Sequence, residues 1–187
     1  MLLIALLVPP LAGAQSLPEK DAITNAFASV DNRLTFSTFS MVPNSLLNEM
    51  QMAQATQGIF HITVNVNQCI PDRKATRAMT IHVNCSSASE PAKLEDKLNH
   101  VVSKYVLGPV RTLLSKADQK AFASLLEKAR GGTAKSNKSA SGNIHFEMKV
   151  DRSKPADSPF RENWTFQIVD YNASMATQQY AWENKIK

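Results

Sequence analysis

Catalytic signatures are missing from this 187-residue chain. It has no glycine-rich phosphate loop, no paired-histidine helix and no nucleophile elbow. Nothing in it therefore points to nucleotide chemistry, zinc hydrolysis or an activated serine, and the expectation is a protein that is not an enzyme and carries no cofactor or metal. Internal repeats are absent, which argues against solenoids and propellers. A membrane-spanning run is lacking too: the one long apolar stretch, Met1 to Leu11, is too short to cross a bilayer as a helix.

Charge is absent from the first fourteen residues, and Ala12-Gly13-Ala14 offers small residues at the spacing a signal peptidase reads. The expectation is a signal peptide over 1–14 and a single domain over 15–187, periplasmic or secreted. One feature departs from that pattern, because no Lys or Arg precedes the apolar core. The competing reading is a buried first strand over Leu2 to Val8.

What the chain does have is ordinary globular composition, 43% hydrophobic and 20% charged, with a net charge of +5. The charge is concentrated. Between Pro91 and Lys138 there are ten Lys or Arg against four Asp or Glu. A basic helical surface suits an acidic protein partner or another anionic surface. Lys93, Lys97, Lys104 and Arg111 are the candidate partner-binding residues. Nucleic acid is disfavoured, since few aromatics interleave with these charges and export removes the chain from it. The plainer alternative is a solvated helix face that keeps the protein soluble.

Periodicity assigns the elements. Residues 21–30 carry Ile23, Phe27 and Val30 on one helical face, and Leu34 to Phe36 start a short strand. Residues 44–57 read as a helix, capped by Asn44, striped by Leu46, Leu47, Met50 and Met52, and stopped at Gly58. Residues 59–67 and 78–84 alternate as strands. Two helices follow Pro91, separated by a break or kink at Gly108-Pro109, and Ser115 with Asp118 forms a capping box for the second. The Gly- and Ser-rich stretch 131–142 reads as a flexible loop. Residues 143–150, 162–170 and 178–186 complete the strands, with Trp164, Phe166, Ile168 and Trp182 as core anchors. The expected fold is α+β: an antiparallel sheet of about five strands packed by two or more helices.

Cys69 and Cys85 are the only cysteines. In an oxidising compartment they should form one disulfide. A tight hairpin over 70–77 would instead hold them about 23 Å apart, far beyond the roughly 7 Å between Cα atoms that a bridge tolerates. The bridge and the simple hairpin exclude one another, and export favours the bridge. His61 and His82 lie on the polar sides of their strands, where they could meet as a pair, but no third ligand has metal-site spacing. Asn84, Asn137, Asn163 and Asn172 head glycosylation acceptor triplets.

Two segments carry a resemblance. "ITNAFASVDNRLTFSTFSMVPNSLLNEMQMAQATQG", with Phe36, Leu46, Leu47, Glu49, Gln54 and Gly58 in order, resembles the helix–strand–helix of the LpoB-type activators of penicillin-binding proteins. "SGNIHFEMKV", "WTFQIVD" and "YAWENKIK" resemble that family's closing strands, a pattern shared with curli-secretion and TolB N-terminal-like envelope domains. Together the segments cover under half the chain. The lipid-anchoring cysteine is absent, and more than eighty residues separate Gly58 from Ser141-Gly142. The resemblance implies a non-enzymatic envelope adaptor that binds and modulates a protein partner such as a cell-wall synthesis enzyme. The alternative is a secreted or periplasmic small-ligand-binding module.

Overall fold

Strict alternation in the middle of the chain builds the sheet. In β3 (Phe60–Gln68), Phe60, Ile62, Val64 and Val66 are buried while His61, Thr63, Asn65 and Asn67 are half-buried on the other side. β4 (Thr76–Cys85) repeats the pattern through Met79, Ile81 and Val83. A computed structural model describes residues 16–37, 40–41, 49–70, 72, 74–86, 91–131, 136–151 and 162–184. The expected signal peptide lies outside them, as does the side chain of Lys93.

The chain begins with helix α1 (Lys20–Val30), then β1 (Ser40–Met41) and β2 (Glu49–Gln57). After β3 and β4 come helix α2 (Pro91–Val102), a π-helical turn (Ser103–Leu107), α3 (Gly108–Leu113) and α4 (Lys116–Gly131). β5 (Ser136–Ser141), β6 (Ile144–Asp151), β7 (Glu162–Asp170) and helix α5 (Tyr171–Glu183) close the fold. The seven strands among the described residues form one antiparallel sheet in the order β1-β2-β3-β4-β7-β6-β5. Two meanders, β2-β3-β4 and β5-β6-β7, therefore meet at the β4–β7 pair. The helices α2 to α4 form the connection that carries the chain to the far edge.

One face of the sheet is apolar and takes the helical layer. Phe122 of α4 sits edge-on to Phe146 at 5.7 Å and tilted against Phe166 at 6.2 Å. Such aromatic pairs add about 0.5–1.5 kcal/mol each beyond their buried area. The α+β architecture and the strands at 59–67, 78–84, 143–150 and 162–170 are as the periodicity predicts.

Several expectations are corrected. The helix over 44–57 is not formed where it is described: Glu49–Gln57 is β2, paired with β3 from Met50↔Asn67 to Gln57↔Phe60. The residues that face the core are Ala53 and Ala55, while Met52 is exposed, so the apparent methionine stripe faces no core. Neighbouring-strand pairing overrides helix propensity here. Gly58, at φ 59°, opens the two-residue hairpin turn to β3 instead of stopping a helix. Leu34 to Phe36 is irregular, and the short strand begins at Ser40.

The loop expected over 131–142 contains strand β5, in register with β6 from Ser136↔Lys149 to Ser141↔Ile144. As an edge strand it needs no apolar residues, so composition could not reveal it. Of the strand expected over 178–186, residues 178–183 are instead the second half of α5, and 185–186 lie outside the described residues. Asp170 caps that helix, its Oδ1 accepting from the Ala173 amide at 2.9 Å, and Thr177 and Ala181, one turn apart, point inward. Trp182 is 82% exposed and anchors no core. The kink expected at Gly108-Pro109 takes the form of the π turn. Gly108 N–H donates to Ser103 O, five residues back, which lets the helix continue past a proline that has no N–H of its own.

The disulfide is also corrected. β3 and β4 form the simple hairpin, Cys85 lies opposite Phe60, and the two cysteines are buried and not bridged to each other. Cys69 is nine residues along the chain from Phe60, about 30 Å in extended geometry. Burial, as the largest influence, pushes the Cys69 thiol up, which disfavours its reactive thiolate form.

Candidate partner-binding notch

The basic segment divides over two helices with different duties. On α4, Asp118, Phe122, Leu125, Leu126 and Ala129 recur at helical spacing and are buried. Ser115 Oγ donates to Asp118 Oδ2 at 2.9 Å and accepts from its amide at 3.3 Å, so the expected capping box forms and starts the helix. A second stripe on the same helix, through Lys116, Lys120, Ala123, Glu127 and Arg130, turns towards α3. Between the helices lies a notch of about 330 Å³, floored by Leu107, Val110 and Leu126.

Four cations edge this notch, Arg111, Lys116, Lys120 and Arg130, against one carboxylate, Glu127. Glu127 is paired with Arg130 at 3.2 Å. Arg111, Lys116 and Lys120 have no side-chain partner among the described residues. Gln119 holds the corner rigid: its Nε2 donates to Arg111 O at 3.0 Å and to Leu114 O at 2.8 Å, capping carbonyls at the end of α3. Like charges crowded on one notch repel each other and favour an anion between them.

Of the four residues singled out from sequence, the three whose side chains are described do not form one patch. Arg111 edges the notch. Lys97 is exposed on α2, where with Asp96 and His100 it borders a separate cleft of about 440 Å³ at the β2–β3 turn. Lys104 turns inward, its Nζ 3.6 Å from Asp31 Oδ2 and 4.9 Å from the centre of the Tyr105 ring. The sequence reading missed Lys116, Lys120 and Arg130, which lie within the basic segment. Their spacing of four and ten residues along α4 was the available signal.

Sequence reading also missed a polar cluster gathered around the buried Asp31 carboxylate beneath the π turn. Asp31, just past α1, takes bonds from Arg33 (Nε to Oδ1, 2.9 Å) and from the Tyr105 hydroxyl. Arg33 also donates to Thr56 O at 2.9 Å and to Tyr105 Oη at 3.2 Å. The Arg33 hydrogen bonds hold the Asp31 carboxyl far below the usual carboxylate range, outweighing the upward push of burial. Burial, followed by the bond to Asp31, raises the Tyr105 phenol. The cluster ties α1 to the helical layer and to β2, and all its members are partnered, so it reads as a structural lock.

The face of the sheet opposite the helical layer is polar. Three histidines lie there: His61 Nδ1 is 3.5 Å from Thr56 Oγ1, His82 Nδ1 is 3.1 Å from Thr165 Oγ1, and the His145 ring stacks on Tyr171 at 5.2 Å. Burial pushes the His82 imidazole down. No group of three or more His, Cys, Asp or Glu placed to hold a metal occurs among the described residues. Among them, too, no helix is long and apolar enough to cross a membrane. Of the glycosylation acceptors, Asn84 and Asn163 sit opposite each other on β4 and β7, Asn137 is half-buried on β5, and Asn172 is exposed.

Comparison with known proteins finds no matching family model, no similar curated protein and no similar solved structure. The class is thus defined by the fold and the site alone: an α+β protein with one antiparallel sheet, whose helical layer carries a notch edged by four cations.

Proposed function

We propose that the chain is a non-enzymatic exported adaptor that binds an acidic segment of a protein partner in the α3–α4 notch. The single observation that carries this reading is the excess of cations over carboxylates around a preformed, rigidly cornered concavity. A solvated helix face spreads its lysines and pairs them along the helix. Here three cations line one notch with no side-chain partner among the described residues. Export favoured a bridge that does not form; both thiols are instead buried, which limits their access to external oxidants. The sequence resemblance puts a cell-wall synthesis enzyme first among the partners to try.

The test is affinity purification from envelope extracts, run in parallel with residues 15–187 and with the Arg111→Glu/Lys120→Glu variant. A specific partner retained by the first and lost by the second supports the notch. A partner held equally by both rejects it. Binding should also weaken steeply between 50 and 500 mM salt, concentrations chosen to span the range in which exposed charges become screened.

A further inference from the structure

Exposed apolar side chains are ordinary when they are scattered over a surface. On this chain they gather on one helix. Among the described residues the large exposed ones are Met52, Tyr171, Met175 and Trp182, and three of these four belong to α5. Tyr171 is 49% exposed, Met175 47% and Trp182 82%. With exposed Gln178 among them, the steps along the helix are four, three and four residues. At 3.6 residues per turn these four positions fall within an arc of about 60°, one continuous stripe.

The stripe is not what holds α5 in place. Thr177 and Ala181 point inward where the helix meets β4 and β7, and the stripe lies on the other side. One face of the Tyr171 ring stacks on His145 at 5.2 Å, which fixes the ring while leaving its edge in solvent. The helix is also short of charge. Tyr171 to Trp182 contains no Asp, Glu, Lys, Arg or His. Glu183 follows and accepts from Gln179 Nε2 at 2.8 Å. Each of α1 to α4 carries at least one Lys or Arg. An outer face kept for solubility would carry such charges too.

We propose that this stripe is the contact between two copies of the chain, related by a two-fold axis that passes α5 beside residues 176 and 177. Charge selects that occupant. Two chains of net charge +5 repel, and α5 is the helix on which a second copy meets no cation. An anionic membrane or an acidic partner would find no cation there to attract it. The stripe also complements itself. Antiparallel pairing sets Tyr171 against Trp182 of the second copy and Met175 against its Gln178, the layering of an antiparallel heptad seam, and it opposes the two helix dipoles. With aromatic side chains burying about 150–250 Å² each, the exposed fractions offer about 400 Å² per copy. The pair then buries about 800 Å² before flanking residues are counted, the size of a weak and transient interface. In dilute solution the chain is a monomer and Trp182 stands in water. The contact is separate from the α3–α4 notch, so the two readings stand or fall separately.

The test is sedimentation velocity of the full chain from about 5 to about 500 μM, the span in which an interface of this size should assemble. The parent should pass from monomer to dimer within it. Met175→Lys/Trp182→Lys, two changes at exposed positions, should weaken dimerisation about tenfold or more, with a thermal melt confirming that the variant folds. Arg111→Glu/Lys120→Glu should dimerise as the parent does. Gln178→Cys, on the stripe and close to the axis, should link two copies under mild oxidation. Ala176→Cys, exposed on the opposite flank, should not. A parent that stays monomeric throughout overturns the dimer. So does association that survives Met175→Lys/Trp182→Lys, as one driven by Met1 to Leu11 would, and so does equal cross-linking at 176 and 178. A monomer that instead binds neutral phosphatidylcholine vesicles, and loses them in the double-lysine variant, gives the stripe to a lipid surface and overturns the dimer as well.

Discussion

Replacing Tyr105 with Phe deletes one oxygen and tests the lock beneath the π turn. The ring is fully buried and stays in place. What disappears is the hydroxyl that donates to Asp31 Oδ2 and accepts from Arg33 Nη2 at 3.2 Å. The Asp31 side chain is only 5% exposed, so water cannot replace the lost donor freely. Hydrogen bonds to charged groups contribute about 1.5–3 kcal/mol. Arg33 and Lys104 remain on the carboxylate and soften the loss, which puts the expected cost at about 2 kcal/mol. For a chain of this length that is a fall in Tm of about 4–8 °C. Urea denaturation followed by circular dichroism measures it, with an unchanged m-value confirming the same unfolding transition. A double-mutant cycle with Asp31→Asn should show strong coupling between the two positions. Loss of less than about 0.5 kcal/mol, or simple additivity with Asp31→Asn, would refute the reasoning.

The same cluster sets an acid dependence. Because the folded-state pKa of Asp31 is depressed, its contribution is complete above about pH 5 and is lost progressively as pH falls through and below the ordinary carboxylate value near 4. Asp31→Asn should flatten that part of the stability–pH curve; an identical slope in parent and variant would count against it. Trp182→Ala should change stability by under about 0.5 kcal/mol in a thermal melt, as befits an exposed side chain. Phe122→Ala, which empties the contact with Phe146 and Phe166, should cost about 3–5 kcal/mol in the same assay. Thiol titration of the native protein should react slowly with both cysteines and find two free thiols after denaturation. A single disulfide by mass would contradict the hairpin register.

The central strands were legible because their pattern has a local cause. Phe60 to Val66 and Ile144 to Val150 alternate every second residue, and a sheet with one dry face demands that period wherever it occurs. The capping box at Ser115 and Asp118 was legible for the same reason: donor, acceptor and spacing lie within one turn. The edges of the sheet and the final helix were not. β5 has no apolar residue except Ala140, and β2 buries only alanines between polar neighbours, so their strand state comes from the strand alongside. In α5, Tyr180 and Trp182 mimic alternation, yet Asp170 caps a helix that turns Ala181 inward and leaves Trp182 in solvent.

The candidate sites divide along the same line. Sequence located a basic segment, including Arg111, because charge density is a property of composition. It could not say that Lys116, Lys120 and Arg130 gather with Arg111 around one notch while Lys97 edges another cleft and Lys104 is drawn towards Asp31.

By itself, then, the sequence determined the α+β class, the four central strands, the α3–α4 corner and the sign of the surface charge, since each follows from residues near one another along the chain. Tertiary structure alone decided the edge strands, the fate of the two thiols and which cations converge. Those outcomes depend on register and packing between segments far apart in sequence, where local preference is weak and the neighbouring element supplies the missing constraint.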